Sequence, residues 1–80
     1  MIRISNKEIQ INGEVHKVGG IEEYSIDRGY RWDPVLQRHV PDGMAWVELK
    51  WKSQEGVLHH YVSDNIPFDD IVLEGDIFSV

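Results

Sequence analysis

Apolar and polar residues alternate with a period of two over much of this chain, and no stretch sustains the period of a long amphipathic helix. Ile2 and Ile4 alternate as strand residues do, and so do Ile9 and Ile11, but in the opposite phase. Strand side chains point to alternate faces, so this slip requires a turn or a bulge near Asn6-Lys7. Asn12-Gly13 then stands between two alternating segments, the strongest short-range hairpin signal. A two-residue loop there pairs Ile11 with Glu14, Gln10 with Val15, Ile9 with His16 and Glu8 with Lys17. Glu8 and Lys17 become a cross-strand ion pair, and Ile9, Ile11, His16 and Val18 share a face turned to the core.

Gly19-Gly20 breaks the run. Residues 21–26 read as strand from Tyr24 and Ile26, although Ile21 and Tyr24 also suit a helical turn. Asp27-Arg28-Gly29 reads as a turn, and residues 30–42 as irregular or only partly paired, with turn signals at Asp33-Pro34 and Pro41-Asp42-Gly43. The cleanest strand covers residues 44–52: Val47, Leu49 and Trp51 on one face, Glu48, Lys50 and Lys52 on the other. Residues 53–56 turn the chain and residues 57–62 return, rich in β-branched and aromatic side chains. A four-residue loop pairs Trp51 with Leu58 and Leu49 with His60, which turns His60 inward. A three-residue loop with Gly56 as a bulge turns His59 inward instead. The first register is preferred because it groups Leu58 and Val62 with the core. Residues 63–67 break the ladder. One helical turn or an extended segment fits residues 67–74, and residues 76–80 suit a closing strand. The pattern predicts a mostly β fold: a small antiparallel barrel or sandwich of SH3-like size, about five to six strands, with hairpins near residues 8–18 and 44–63.

Composition narrows this picture. The chain of 80 residues reads as a single compact domain spanning residues 1–80, whose core is expected to supply only ~3–5 kcal/mol. It has no cysteine, which excludes disulfides and thiolate zinc sites, so packing or a partner chain must stabilise it. The start of the chain has no apolar signal-peptide region and no run reaches ~20 apolar residues, so cytoplasmic residence without membrane contact is the expectation. The net charge is −6, and it belongs wholly to the last third. Glu55, Asp64, Asp69, Asp70, Glu74 and Asp76 stand there without Lys or Arg, whereas the basic and acidic side chains before them balance. Such a surface repels nucleic acid and attracts a basic protein surface.

The candidate chemistry is sparse. Pro41-Asp42 followed by Glu48-Leu49-Lys50 resembles, as a string of ten residues, the PD…(D/E)xK pattern of a nuclease superfamily. That resemblance implies Asp42 and Glu48 as ligands of a divalent metal and Lys50 as a helper of the attacking water. Along a strand, however, Asp42 lies on the order of 15 Å from Glu48, too far to share one ion at ~2.1 Å from each. His59 and His60 are adjacent, so a regular strand sends them to opposite faces rather than to one metal. No serine sits in a nucleophile motif and no glycine-rich phosphate loop occurs, so no catalytic residue, metal ligand or cofactor is assigned and the chain is not expected to be an enzyme.

Arg28, Tyr30, Arg31, Trp32 and Arg38 form an aromatic–arginine cluster, and the segment 30–40, with Trp46 nearby in sequence, offers apolar anchors. Trp, Tyr and Arg are the usual anchors of protein interfaces. Asp64, Asp69, Asp70, Glu74 and Asp76 form the acidic surface. The reading is a non-catalytic domain that binds a partner protein, one with a basic surface, through these two features. The alternative is an acidic mimic of nucleic acid, an inhibitor of the kind carried by phages and mobile elements. A small metal-dependent nuclease is the second alternative. An exposed edge strand or Trp46 also offers a seam for a homodimer.

Overall fold

The computed structural model of the chain describes residues 1–75. Strands β1 (Ile2–Ile4), β2 (Glu8–Ile11) and β3 (Glu14–Asp33) form a meander. The phase slip is a turn: Ser5 accepts from the Glu8 amide at 3.1 Å through its hydroxyl, and Ile2 pairs with Ile11, Ile4 with Ile9. The Asn12-Gly13 hairpin has the anticipated register at all four pairs, with both loop residues in the left-handed region. Lys17 Nζ lies 2.9 Å from Glu8.

Strand β3 continues far past this hairpin and pairs along its length with β4 (Arg38–Ser53). β5 (Leu58–Val62) and β6 (Ile66–Pro67) both pair with β4, a 3-10 turn follows at Phe68–Asp70, and β7 (Ile71–Leu73) adds to β1 in parallel. The order is β5-β4-β3-β2-β1-β7, with β6 beside β5 on the same strand. The fold is therefore all-β, as the alternation implied. Among the described residues it has seven strands, one pairing is parallel, and the sheet does not close into a barrel. The helical turn anticipated within residues 67–74 is the short 3-10 turn, and residues 21–26 are strand. The closing strand expected at residues 76–80 lies outside the described residues.

The core forms where the two parts of the sheet face each other. Ile2, Ile4 and Ile9 from the meander cluster with Val47, Leu49 and Trp51 of β4 and with Val18. β3 supplies the bend, through a register shift between Val18 and Gly20. Trp51 lies between two imidazoles: His16 at 5.7 Å, tilted, and His59 at 5.4 Å, stacked. The opposite face of β3 and β4 is wet, with Lys50 paired to Glu23 and Lys52 to Glu22.

Two expectations fail here. The β4–β5 register puts Trp51 opposite His59, Lys50 opposite His60 and Leu49 opposite Tyr61, so His59, not His60, turns toward the core. The turn decides this. Ser53 bonds Val57 across three intervening residues, and Gly56 takes φ +84, the three-residue bulged loop. His60 instead reaches Glu48 on the wet face at 3.0 Å. The second failure is larger. Asp27-Arg28-Gly29 is not a turn, and residues 30–33 pair with residues 38–41 in the β3–β4 ladder, so of residues 30–42 only the turn at 34–37 and the bulged Asp42 stand outside it. Pro41-Asp42-Gly43 makes a bulge inside β4 rather than a reversal. Gly43 takes φ +81, Asp42 accepts from the Met44 amide at 2.9 Å, and its carboxylate sits where a Cβ on Gly29 would be.

Ser63 is the buried polar residue of this core, 3% exposed. Its hydroxyl accepts from the Val47 amide at 2.8 Å, doing at the end of β5 what a ladder carbonyl does elsewhere. Ser63→Ala strands that amide in the interior and is expected to cost about 1–2 kcal/mol. A urea titration checks this, and an unchanged midpoint would show that water replaces the hydroxyl freely.

Candidate interaction surface

Beyond Ala45, β3 and β4 leave the core as a two-stranded arm. The molecule measures 52 × 28 × 19 Å, elongated as such an arm requires. Tyr30 pairs with Pro41, Arg31 with Val40, Trp32 with His39 and Asp33 with Arg38. Cross-strand pairs share a face and neighbours along a strand do not. Tyr30, Trp32, His39 and Pro41 thus occupy one face, and Arg31, Asp33, Arg38 and Val40 the other. Trp32 packs edge-on against His39, ring centroids 5.3 Å apart. Asp33 closes the tip by accepting from the Val35 and Leu36 amides at 2.9 and 3.1 Å, an Asx-type turn.

The anticipated cluster is therefore divided by strand geometry into an aromatic face and a cationic one. Arg31 and Arg38 are exposed and form no ion pair with any described residue. Trp46 stands apart, on the wet face of β4 opposite Asp27. Val35 and Leu36 stand at the tip, inside the segment 30–40 expected to make contact. Their sequence signal is Asp33-Pro34, whose turn is the end of this hairpin. Arg28, at the root of the arm, lies 4.4 Å over the Phe68 ring and ties the arm to the 3-10 turn.

The acidic residues are scattered. Asp64 is exposed in the link before β6, and Asp69 and Asp70 are exposed on the 3-10 turn. Glu74 follows β7 and lies 3.0 Å from Arg3 Nε. Asp76 lies outside the described residues. The nuclease-like string is also dispersed in its bonding: Asp42 holds the bulge, Glu48 meets His60 and Lys50 meets Glu23. Among the described residues no three His, Asp or Glu side chains are grouped to hold a metal, and no helix is long and apolar enough to cross a membrane.

No protein-family model, curated protein or solved structure matches the chain. Its fold places it among small all-β proteins, with an open seven-stranded sheet and a projecting hairpin among the described residues.

Proposed function

We propose that the chain is a small non-catalytic interaction domain that grips a partner protein with its hairpin arm. The observation that carries this is an ordered ladder presenting apolar side chains to solvent: Tyr30 at 60% exposure, Trp32 at 54% and, at the tip, Val35 at 87%. Backbone pairing already fixes the strands, so binding orders few additional groups, and rigid aromatic side chains lose little entropy on contact. Tyr30 and Trp32 suit an apolar groove on the partner, while Arg31 and Arg38 suit carboxylates beside it. Asp64, Asp69 and Asp70, away from the arm in sequence, favour the approach of a partner that also carries a basic patch.

The test is a pull-down that first identifies a partner reproducibly and then measures its affinity for the double variant Tyr30→Ala, Trp32→Ala. Loss of at least about 30-fold is expected, the scale of an interface anchor. Wild-type affinity in the folded double variant would remove the arm from consideration. Lys50→Ala, on the wet face away from the arm, serves as the neutral control.

A further inference from the structure

We propose that two copies of this chain pair through the outer edge of β5, and this inference does not depend on the arm. β5 ends the strand order and pairs with β4 on one side alone among the described residues. The hydrogen-bond phase of that edge follows from two observed bonds. Ser53 donates to Val57 at 2.8 Å, and Ser63 donates to Val47 at 2.8 Å, so both are bonded pairs. Bonded and non-bonded pairs alternate in an antiparallel ladder. His59 and Tyr61 therefore use their backbone groups on β4, whereas the N–H and C=O groups of Leu58, His60 and Val62 point away from it.

An edge of this kind normally carries a device against pairing, such as lysine, proline, a bulge or an inward charge. Leu58–Val62 has none of these. Leu58 and Val62 are instead 60% and 51% exposed, and the nearest carboxylates in sequence, Glu55 and Asp64, lie outside the strand.

The segment is also self-complementary, which selects a second copy as the occupant. Read outward from His60, it runs aromatic then apolar in both directions: His59 then Leu58, and Tyr61 then Val62. An antiparallel pairing centred on His60 puts Leu58 against the second copy's Val62, His59 against its Tyr61, and His60 against its His60. Because Leu58, His60 and Val62 all point outward, all three of these residues fall at bonded positions, and each exchanges two backbone hydrogen bonds with its opposite. On one face Leu58 and Val62 cover each other. On the other, Tyr61 of the second copy extends the row begun by Trp51 stacked on His59. Such a two-fold contact closes on itself and stops at a dimer. The strand is short, so the association belongs at the weak end, with a dissociation constant on the order of 100 µM.

Sedimentation equilibrium and amide hydrogen exchange, at about 5 µM and about 500 µM protein, test this. Dimer is expected at the higher concentration, together with protection of the Leu58, His60 and Val62 amides that is absent at the lower one. The His59 and Tyr61 amides should be protected at both. His60→Pro removes an N–H that the monomer does not use in its ladder, so the variant is expected to keep the fold and stay monomeric. His60→Lys, which sets two ammonium groups opposite each other, should do the same and covers the case in which the proline variant does not fold. A monomer at both concentrations overturns the proposal. So does a dimer in which the Leu58, His60 and Val62 amides exchange freely, or one that His60→Lys leaves intact.

Discussion

Leu49→Ala is expected to unfold most of the protein at about 25 °C without denaturant. Leu49 is 0% exposed and sits in the middle of β4, between Tyr24 on β3 and Tyr61 on β5. Its side chain belongs to the cluster that joins β4 to Ile2, Ile4 and Ile9 across the interior. A buried Leu→Ala change costs about 2–5 kcal/mol, through lost burial and through the cavity left behind. A core in a chain of this size supplies about 3–5 kcal/mol in all. The two ranges overlap, so one truncation is enough to remove the margin. Circular dichroism and tryptophan fluorescence, read in parallel through a urea titration, measure the outcome. Leu58→Ala is the control, since Leu58 is exposed on β5, and it should shift stability by no more than about 0.5 kcal/mol. A Leu49→Ala protein with the wild-type midpoint would mean that the cluster does not hold the two parts of the sheet together.

Gly19→Ala should cost about 3 kcal/mol, while Gly20→Ala, one residue on, should cost far less. A Cβ on Gly19 would lie 2.6 Å from the Ser53 carbonyl oxygen, and a Cβ on Gly20 meets nothing within 4 Å. The obstacle is backbone of β4, which cannot rotate aside as a side chain does, so the cost belongs at the upper end for an overfilled site. Gly19 falls in the register shift where β3 passes from pairing with β2 to pairing with β4. Opening that approach separates the two parts of the sheet whose contact makes the core. Thermal melts of the two variants side by side give the comparison. Equal melting temperatures would show that β3 relieves the clash by a small local shift.

These two positions show how far the sequence could be read. Leu49 was legible as core because the alternation of Val47, Leu49 and Trp51 against Glu48, Lys50 and Lys52 is local and unbroken. Gly19 was legible as an interruption. Nothing in Gly19-Gly20 distinguishes the two glycines, because the atom that does so is the carbonyl of Ser53, remote in sequence. The arm was the main loss. Asp27, Gly29, Asp33, Pro41, Asp42 and Gly43 are turn formers by local preference, yet most of them sit in or beside a ladder. Each found a compatible place there: Gly29 makes room for the Asp42 carboxylate, Gly43 supplies the left-handed step of a bulge, and Asp33 closes the tip. Local preference is weak beside cumulative strand pairing. The candidate residues Tyr30, Arg31, Trp32 and Arg38 were found from their type alone, but their division into two faces required the register.

By itself, the sequence determined the all-β class, the Asn12-Gly13 hairpin with its register and its Glu8–Lys17 pair, the inner and outer faces of β4, and the acidic bias of the last third. Each is set by neighbours in the chain: a two-residue turn leaves one pairing, and a period of two leaves one choice of face. Tertiary structure alone decided that residues 29–44 are arm rather than loop, that His59 and not His60 meets Trp51, and that among the described residues the sheet stays open and β5 keeps a free edge. These depend on which strands meet and in what register. Such pairings are settled by packing between distant segments, and a bulged turn such as that at Gly56 is enough to exchange the inner and outer side chains of the strand that follows.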